Sequence, residues 1–369
     1  MKSCLNELMS ILREGFEDIS VVVTPDFFLD RLITLKQTPS EFSSAIKEVA
    51  SRKGGSLDNI PQTDIHGGNA VNTALALATL GARVTPIVCT SELGMQQLAF
   101  HFKPLGVDSS HIKIRGKASL TTALELTGAE SRVNIMLRDL GSLADFSPRD
   151  LSDEDYEAIK AADYTCISNW AGTRNYGTEL AQKVFGAVKA TGRGKTYLDT
   201  ADPTPNRGRI PELIEKVLKT KQVDILSLNE SEAITYGSYL TNRDQNENGP
   251  SRLEEKALES ARLLAKHLPA RIDLHATSFS ATFTKQHEVI VPAFRVKPLR
   301  ATGAGDAWNA GNILADANNL SDENRLTFAN GVSACYLTDP KGAHPTSKDL
   351  ILFFEKQNHS SSLLNRLVG

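Results

Sequence analysis

Short runs of β-branched and other apolar residues recur along the chain, and segments with helical patterns separate them. The runs Ile19–Thr24 and Val223–Leu228 have the composition of strands that are buried on both faces. Parallel strands need a crossover connection, which is usually a helix. The alternation therefore predicts an α/β fold with a mainly parallel central sheet flanked by helices.

The size and charge of the chain restrict the class of protein to which it can belong and the kind of partner it can bind. Its 369 residues, 40% of them hydrophobic, suffice for an α/β core with a small accessory element, and one domain over residues 1–369 is the simplest arrangement. The formal net charge of −3 provides no global positive field for nucleic acid or an acidic membrane surface, so a small-molecule partner is favoured. No apolar run is long enough to cross a bilayer, and the first residues resemble a packing helix more than a signal peptide. We expect a soluble, cytoplasmic protein.

Cysteine and histidine spacing argues against structural cross-links and zinc. The four cysteines lie far apart without a C-x-x-C pair, and the eight histidines show no H-E-x-x-H pattern. The sequence therefore predicts neither a disulfide framework nor a protein-bound transition metal, and it favours a reducing compartment.

The segment Thr302–Gly311 carries the clearest chemical signal. It follows a strand-like run, and its small residues Gly303, Ala304 and Gly305 precede a helical pattern. Such a turn lets main-chain N–H groups approach a ligand, and the following helix adds its unpaired N–H groups and positive dipole end, so we predict an anion cradle. Asp306 lies where a carboxylate is easily kept ionised and could accept the proton of an attacking hydroxyl. An ordinary turn with a helix cap is the alternative.

A second glycine turn opens a helix earlier in the chain. Gly67 and Gly68 permit close backbone approach, while Asn69 and Asn72 offer donors and acceptors to hydroxyl groups. A glycine turn with an asparagine cap would give the same pattern.

Acidic residues follow two of the predicted strands. Asp26 and Asp30 come after the first strand, and Asn229 with Glu232 begins a helix after a later one. Magnesium favours oxygen ligands and keeps much of its water, so one carboxylate and an amide acting through water suffice for it. Solvated loop acids and a capping pair are the alternatives.

Taken in chain order, residues 67–74, 229–232 and 302–311 resemble the signatures of the ribokinase family, the PfkB-type carbohydrate kinases. The resemblance runs from about the first strand to near the C-terminus and is weak over residues 31–65. It implies a ribokinase-like fold with a small β lid, whose strands would lie within residues 112–140 and near residues 26–66. Such a lid covers the sugar site and often pairs with a second subunit, which would give a homodimer.

The resemblance also implies an activity, namely ATP-dependent phosphorylation of a hydroxyl on a sugar or sugar derivative. Asp306 would be the general base, Gly303, Ala304 and Gly305 the anion hole, and Glu232 the residue that holds Mg²⁺. The implied substrate-binding residues are Asp30, which matches the family position better than Asp26, with Gly67, Gly68 and Asn72. The implied nucleotide-binding residues are Asn229, Thr302, Asn330 and Gly342.

One segment departs from the family pattern. Residues 272–281 occupy the place of a strand-turn-strand that usually contains glycines near the nucleotide, and these glycines are missing around His275. A catalytically silent ligand-binding protein with this fold therefore stays open as an alternative, as does a nucleoside kinase of the same family.

Overall fold

The protein is described here from a computed structural model, which covers residues 2–128, 132–241, 253–299 and 302–367. Its α-helices are numbered in chain order: α1 Lys2–Glu14, α2 Pro39–Ser51, α3 Asn69–Thr79, α4 Glu92–Phe102, α5 Asp153–Ala161, α6 Gly177–Thr191, α7 Ile210–Leu213, α8 Glu230–Thr241, α9 Leu253–His267, α10 Ala304–Ala317, α11 Asp322–Thr338 and α12 Ser347–Leu367. Among the described residues, no helix is both long and apolar enough to span a bilayer.

The strands are numbered in the same way: β1 Ser20–Thr24, β2 Phe28–Thr34, β3 Gln62–Gly67, β4 Arg83–Pro86, β5 Cys89–Thr90, β6 Lys113–Ile114, β7 Ser119–Thr127, β8 Arg132–Asp139, β9 Tyr164–Ser168, β10 Lys195–Asp199, β11 Ile225–Leu228, β12 Arg271–His275, β13 Phe279–Phe283 and β14 Glu288–Pro292.

The central sheet has eight strands in the order β14-β13-β12-β11-β10-β9-β1-β4. The pairings from β12 through β4 are parallel, and the pairings of β13 with β12 and with β14 at one edge are antiparallel. In β1, Val22 packs into one hydrophobic cluster while Val21 and Val23 pack into the cluster on the opposite face. The strand is thus buried on both faces, and the predicted α/β architecture is confirmed.

A second sheet of four strands, in the order β3-β2-β7-β8, lies apart from the central one. Its strands fall within the residues that the sequence analysis assigned to a lid. Ile65, Asp30, Thr121 and Arg138 pair directly across the four strands and therefore share one face of this sheet.

Two helices begin where the parallel strands end. Helices α3 and α10 pack against each other, and α10 also packs on α11. The carboxyl ends of β10, β11 and β12 carry Asp199, Asn229 and His275. Open α/β sheets bind ligands outside the carboxyl ends of their strands, so this edge positions the candidate site.

Candidate active site

Helix α10 begins in a turn that accepts only glycine. Gly303 has φ of 87°, and a Cβ built there would lie 2.5 Å from the hydroxyl oxygen of Tyr336. That hydroxyl donates to the carbonyl oxygen of Thr302 at 3.1 Å. Tyr336 thereby fixes the turn from the side, and the residues of the first helical turn line the cavity described below.

The carboxylate of Asp306, in the first turn of α10, is 5% exposed and receives two amide donors from α3. Asn69 Nδ2 donates to Oδ1 and Asn72 Nδ2 donates to Oδ2, each at 2.9 Å. Burial raises the pKa of Asp306 well above its usual value, and the nearby charge of Asp199 adds to this, while the two amides oppose it. The expectation of an easily ionised carboxylate is therefore wrong, because desolvation outweighs the helix dipole and the amide donors.

Asp26 and Asp30, the acids after β1, occupy different environments. Asp26 is fully buried, and its carboxylate accepts from the backbone N–H groups of Asn69 and Ala70 and from Asn169 Nδ2, at 2.8–2.9 Å. Asp26 therefore anchors the start of α3. Asp30 keeps one carboxylate oxygen, Oδ1, buried and without a hydrogen-bond partner. Burial raises the pKa of Asp30 to about 6.

The segment that carries Asp26 and Asp30 explains why positions 67 and 68, in the turn between β3 and α3, are glycines. A Cβ on Gly67 would lie 2.0 Å from Asp30 Oδ2, so the carboxylate rests directly against the α-carbon. Gly68 has φ of 98°, and a Cβ there would lie 2.8 Å from the Cα of Phe27. The pair thus permits a close approach between the second sheet and the start of α3.

A cavity of about 800 Å³ opens at this edge of the central sheet. Its lining includes the three residues of the α10 turn and Asp306, together with polar residues from the neighbouring strand ends and helices: Asn69, Asp199, Asn229, Glu230, Glu232, His275 and Asn330. The structure therefore brings Asp306, Glu232 and, through its bond to Asp306, Asn72 to one site.

Asn229 and Glu232 form a reciprocal pair at the start of α8. Asn229 donates its backbone N–H and Nδ2 to the Glu232 carboxylate at 2.9 and 2.8 Å, and its Oδ1 accepts from the Glu232 N–H at 3.0 Å. This is the capping arrangement that the alternative interpretation anticipated. Burial raises the pKa of Glu232 well above its usual value, and the charge of Asp199 raises it further.

The acids near this cavity suit a hydrated cation. Asp199 is 5% exposed and lines the cavity beside Glu232, and its carboxylate accepts from Asn309 Nδ2 at 2.6 Å. Among the described residues, no three His, Cys, Asp or Glu side chains form a group that could hold a metal. A carboxylate cluster without such a cage fits Mg²⁺ that keeps several waters and is held partly by substrate phosphates.

The predicted nucleotide residues do not all reach this cavity. Asn330 lines it and is held by Trp308 Nε1 and Ser280 Oγ, which donate to its Oδ1 at 3.0 and 2.5 Å. Thr302 contributes its carbonyl oxygen to Tyr336 and is not among the lining residues. Gly342 lines a second cavity, of about 610 Å³, together with Tyr336, and its role in nucleotide binding stays a prediction.

Asn69, which the sequence pointed to beside Asn72 but the family resemblance left out of the substrate-binding set, contacts Asp306 as closely as Asn72 does. The signal was present in the sequence, because residues three apart on a helix point to the same face.

Comparison with known proteins identifies the family. The model of the pfkB family carbohydrate kinases matches residues 53–349. The chain belongs to this family. Ribokinase from Haemophilus influenzae is 26% identical over 302 residues, which cover 79% of this chain and 87% of that protein.

Solved structures share the fold. Ribokinase from Arabidopsis thaliana, complexed with ribose and ATP, has a TM-score of 0.66 and 18% identity over 92% of this chain and 99% of its own. The nucleoside kinase from Methanocaldococcus jannaschii has a TM-score of 0.65 and 16% identity over 93% and 100% of the two chains. The fold of this pfkB-family chain is therefore ribokinase-like.

Proposed function

We propose that this pfkB-family chain transfers a phosphoryl group from ATP to a hydroxyl of a sugar or sugar derivative, with Asp306 as the general base. The observation that carries the proposal is the position of Asp306. Its carboxylate lies in the first turn of α10, lines the cavity and is held by two amide donors. Burial and a neighbouring charge raise its pKa, which makes it a stronger base for proton abstraction from a hydroxyl.

The α10 turn supplies the electrostatic part of the proposal. Backbone N–H groups of Gly303, Ala304 and Gly305 at a helix start favour an anion, so they would stabilise the charge on the transferring phosphoryl group. The same group would be positioned within reach of Asp306. Transfer from ATP depends mainly on such positioning and charge stabilisation, which suits a site that offers little covalent chemistry.

The acceptor would lie between α3 and the second sheet. Asp30 Oδ1 has no partner within the protein, and a sugar hydroxyl could donate to it. Gly67 lies against the Asp30 carboxylate, and Asn72 links this region to Asp306. A face of the second sheet, the proposed lid, would then cover the acceptor and exclude water.

Magnesium would be held near Glu232 and Asp199, with the remaining ligands from water and from the ATP phosphates. When bound, the ion supplies positive charge that offsets the phosphates. Asn229 orients the Glu232 carboxylate, and Asn330 lies in the wall where the nucleotide would extend.

The test is Asp306→Asn, measured by coupled ADP release and by calorimetric titration with AMP-PNP, a non-hydrolysable analogue of ATP. We expect turnover to fall by at least about a hundredfold, because general base catalysis contributes on the order of 10²–10⁴-fold. Analogue binding should stay nearly unchanged. Asp108→Asn, the same substitution on an exposed loop, should retain full turnover. Near-normal turnover in Asp306→Asn would refute the proposal.

A nucleoside is the second candidate acceptor, and the fold shared with the Methanocaldococcus jannaschii nucleoside kinase favours testing it. A panel of sugars, sugar phosphates, sugar acids and nucleosides in the ADP-release assay distinguishes the two classes. Activity only with nucleosides would reject a sugar acceptor. ADP release with none of the panel, despite AMP-PNP binding, would favour the silent ligand-binding alternative.

The second sheet also favours a homodimer. The face opposite Asp30 carries Leu120, Val133, Ile135 and Leu137, which are 37–57% exposed. Neighbouring exposed apolar residues mark an interaction surface, and a second copy of the chain would bury them. Light scattering should give twice the chain mass, and Leu137→Asp should shift it to one chain mass. A wild-type mass of one chain would reject the dimer.

A further inference from the structure

His275 lies within the segment where the resemblance leads one to expect glycines, and its side chain lies beside the proposed phosphate-binding turn. The residue ends β12 and lines the main cavity. Its Cε1 atom lies 3.1 Å from the position that a Cβ on Gly305 would take. The imidazole therefore lies directly against the α-carbon of one of the proposed anion-hole residues, and any larger residue at position 305 would displace it.

The ring is held by packing, and the hydrogen-bonding capacity of one nitrogen is unused. The centroids of the His275 and Trp308 rings lie 5.1 Å apart, with the planes tilted by 35°. The Nε2 atom is buried and has no hydrogen-bond partner. Leaving a buried polar atom unpaired costs about 1–3 kcal/mol, so native proteins usually satisfy it with protein, water or ligand. The imidazole can turn about its Cβ–Cγ bond without losing a hydrogen bond at Nε2.

The charges around the cavity show which ligand would need this nitrogen. Its lining carries the carboxyl groups of Asp199, Glu230, Glu232 and Asp306, while Arg295 is the one cationic side chain among the described lining residues. A polyphosphate in such surroundings needs every available N–H donor besides magnesium and the helix start. Carboxylates cannot donate, and amide donors of the lining already have partners within the protein, as Asn69 Nδ2 has in Asp306 and Asn229 Nδ2 in Glu232. A neutral imidazole with a proton on one nitrogen can donate. Burial lowers the pKa of His275, which favours the neutral ring.

We infer that His275 is a phosphate-contacting residue of this enzyme: its imidazole donates a hydrogen bond to the phosphate chain of the nucleotide beside Gly305. The inference rests on the proposed kinase function. The contact would take the place of the close backbone approach that glycines in this segment permit, so their absence changes the manner of nucleotide binding and does not remove it.

The experiment measures nucleotide binding directly, by calorimetric titration of the full chain with AMP-PNP and magnesium, and separately with adenosine. For His275→Ala we expect about tenfold weaker binding of AMP-PNP, since a hydrogen bond to a charged group contributes about 1.5–3 kcal/mol and 1.4 kcal/mol is tenfold. Adenosine has no phosphate, and its affinity should change by less than about twofold.

Two further variants separate the hydrogen bond from packing. His275→Gln retains an N–H donor near the position of Nε2 and should recover most of the AMP-PNP affinity, whereas His275→Leu fills similar space without a donor and should bind like the alanine variant. Thermal unfolding of all three checks that each is folded.

The outcomes distinguish this inference from the function on which it rests. Equal AMP-PNP affinity in wild type and His275→Ala would overturn the role of His275 and leave the kinase proposal intact. Tighter binding in His275→Ala would show that the ring obstructs the nucleotide, which also overturns the role. An equal loss for adenosine and AMP-PNP would assign the ring to the nucleoside and not to the phosphates. Failure of the wild type to bind AMP-PNP would reject both proposals.

Discussion

Removing one amide donor from Asp306 should move the pH dependence of catalysis. In Asn69→Ala the Asp306 carboxylate loses the 2.9 Å hydrogen bond from Asn69 Nδ2, while the bond from Asn72 remains. A hydrogen bond to a charged group contributes about 1.5–3 kcal/mol and stabilises the ionised carboxylate, so losing it should raise the pKa of Asp306 further. The base must be deprotonated to act, so activity lost at neutral pH should return at higher pH.

The assay is kcat/KM for the acceptor at saturating ATP, measured by coupled ADP release across the pH range in which the protein stays folded. This quantity reports the pKa values of the catalytic groups in the enzyme before the acceptor binds. Asn175→Ala, which removes a 2.6 Å bond to Asp145 on the surface, serves as the matched control and should leave the profile unchanged. If kcat/KM falls at the same acidic pH in Asn69→Ala and in wild type, the Asn69 amide does not affect the pKa of Asp306, and the prediction is refuted.

Other groups give further predictions. Burial raises the pKa of Asp30 to about 6, so the KM for the acceptor should rise about tenfold as pH falls from 7 to 5. Asp30→Asn should abolish this dependence, and a wild-type KM that does not change with pH would contradict the prediction. Tyr336→Phe removes the hydroxyl that donates to the Thr302 carbonyl, so kcat should fall about threefold to tenfold. An unchanged kcat would show that packing alone fixes the turn at the start of α10. Asp273 and Arg325 form a buried ion pair, and Asp273→Ala leaves the guanidinium of Arg325 buried without the Asp273 carboxylate. Urea titrations should show the free energy of unfolding lowered by about 3–5 kcal/mol. A loss below about 1 kcal/mol would contradict a stabilising role of this ion pair.

Local patterns predicted the fold well, because each depends on neighbours in the chain. The β-branched run in β1 and the capping signals of α2 and α8 indicate burial and helix starts directly. The carboxyl ends of the strands then determine where acids such as Asp199 and Glu232 meet. Membership of the pfkB family, expected from three separate motifs, is confirmed by the family match.

What the sequence could not predict depends on contacts between distant segments. The two amides on Asp306 come from residues more than 200 positions earlier in the chain, and the raised pKa of this acid follows from burial that no motif encodes. The lining of the second cavity by Gly342 also depends on the path of the loop after α11, which its place in the motif order does not specify. The sequence indicated His275 only through the glycines missing around it, because its contact with Gly305 joins the end of a strand to the start of a helix.

The junction between β3 and α3 has a consequence for protein engineering. Strand β3 ends at Gly67 and α3 begins at Asn69, so the edge of the second sheet continues within two residues into the helix that holds Asp306. A lid transplanted from a relative to change acceptor preference would have to be joined outside residues 62–72. A splice within them would alter the reactivity of the base together with the choice of acceptor, and the two effects could not be selected separately.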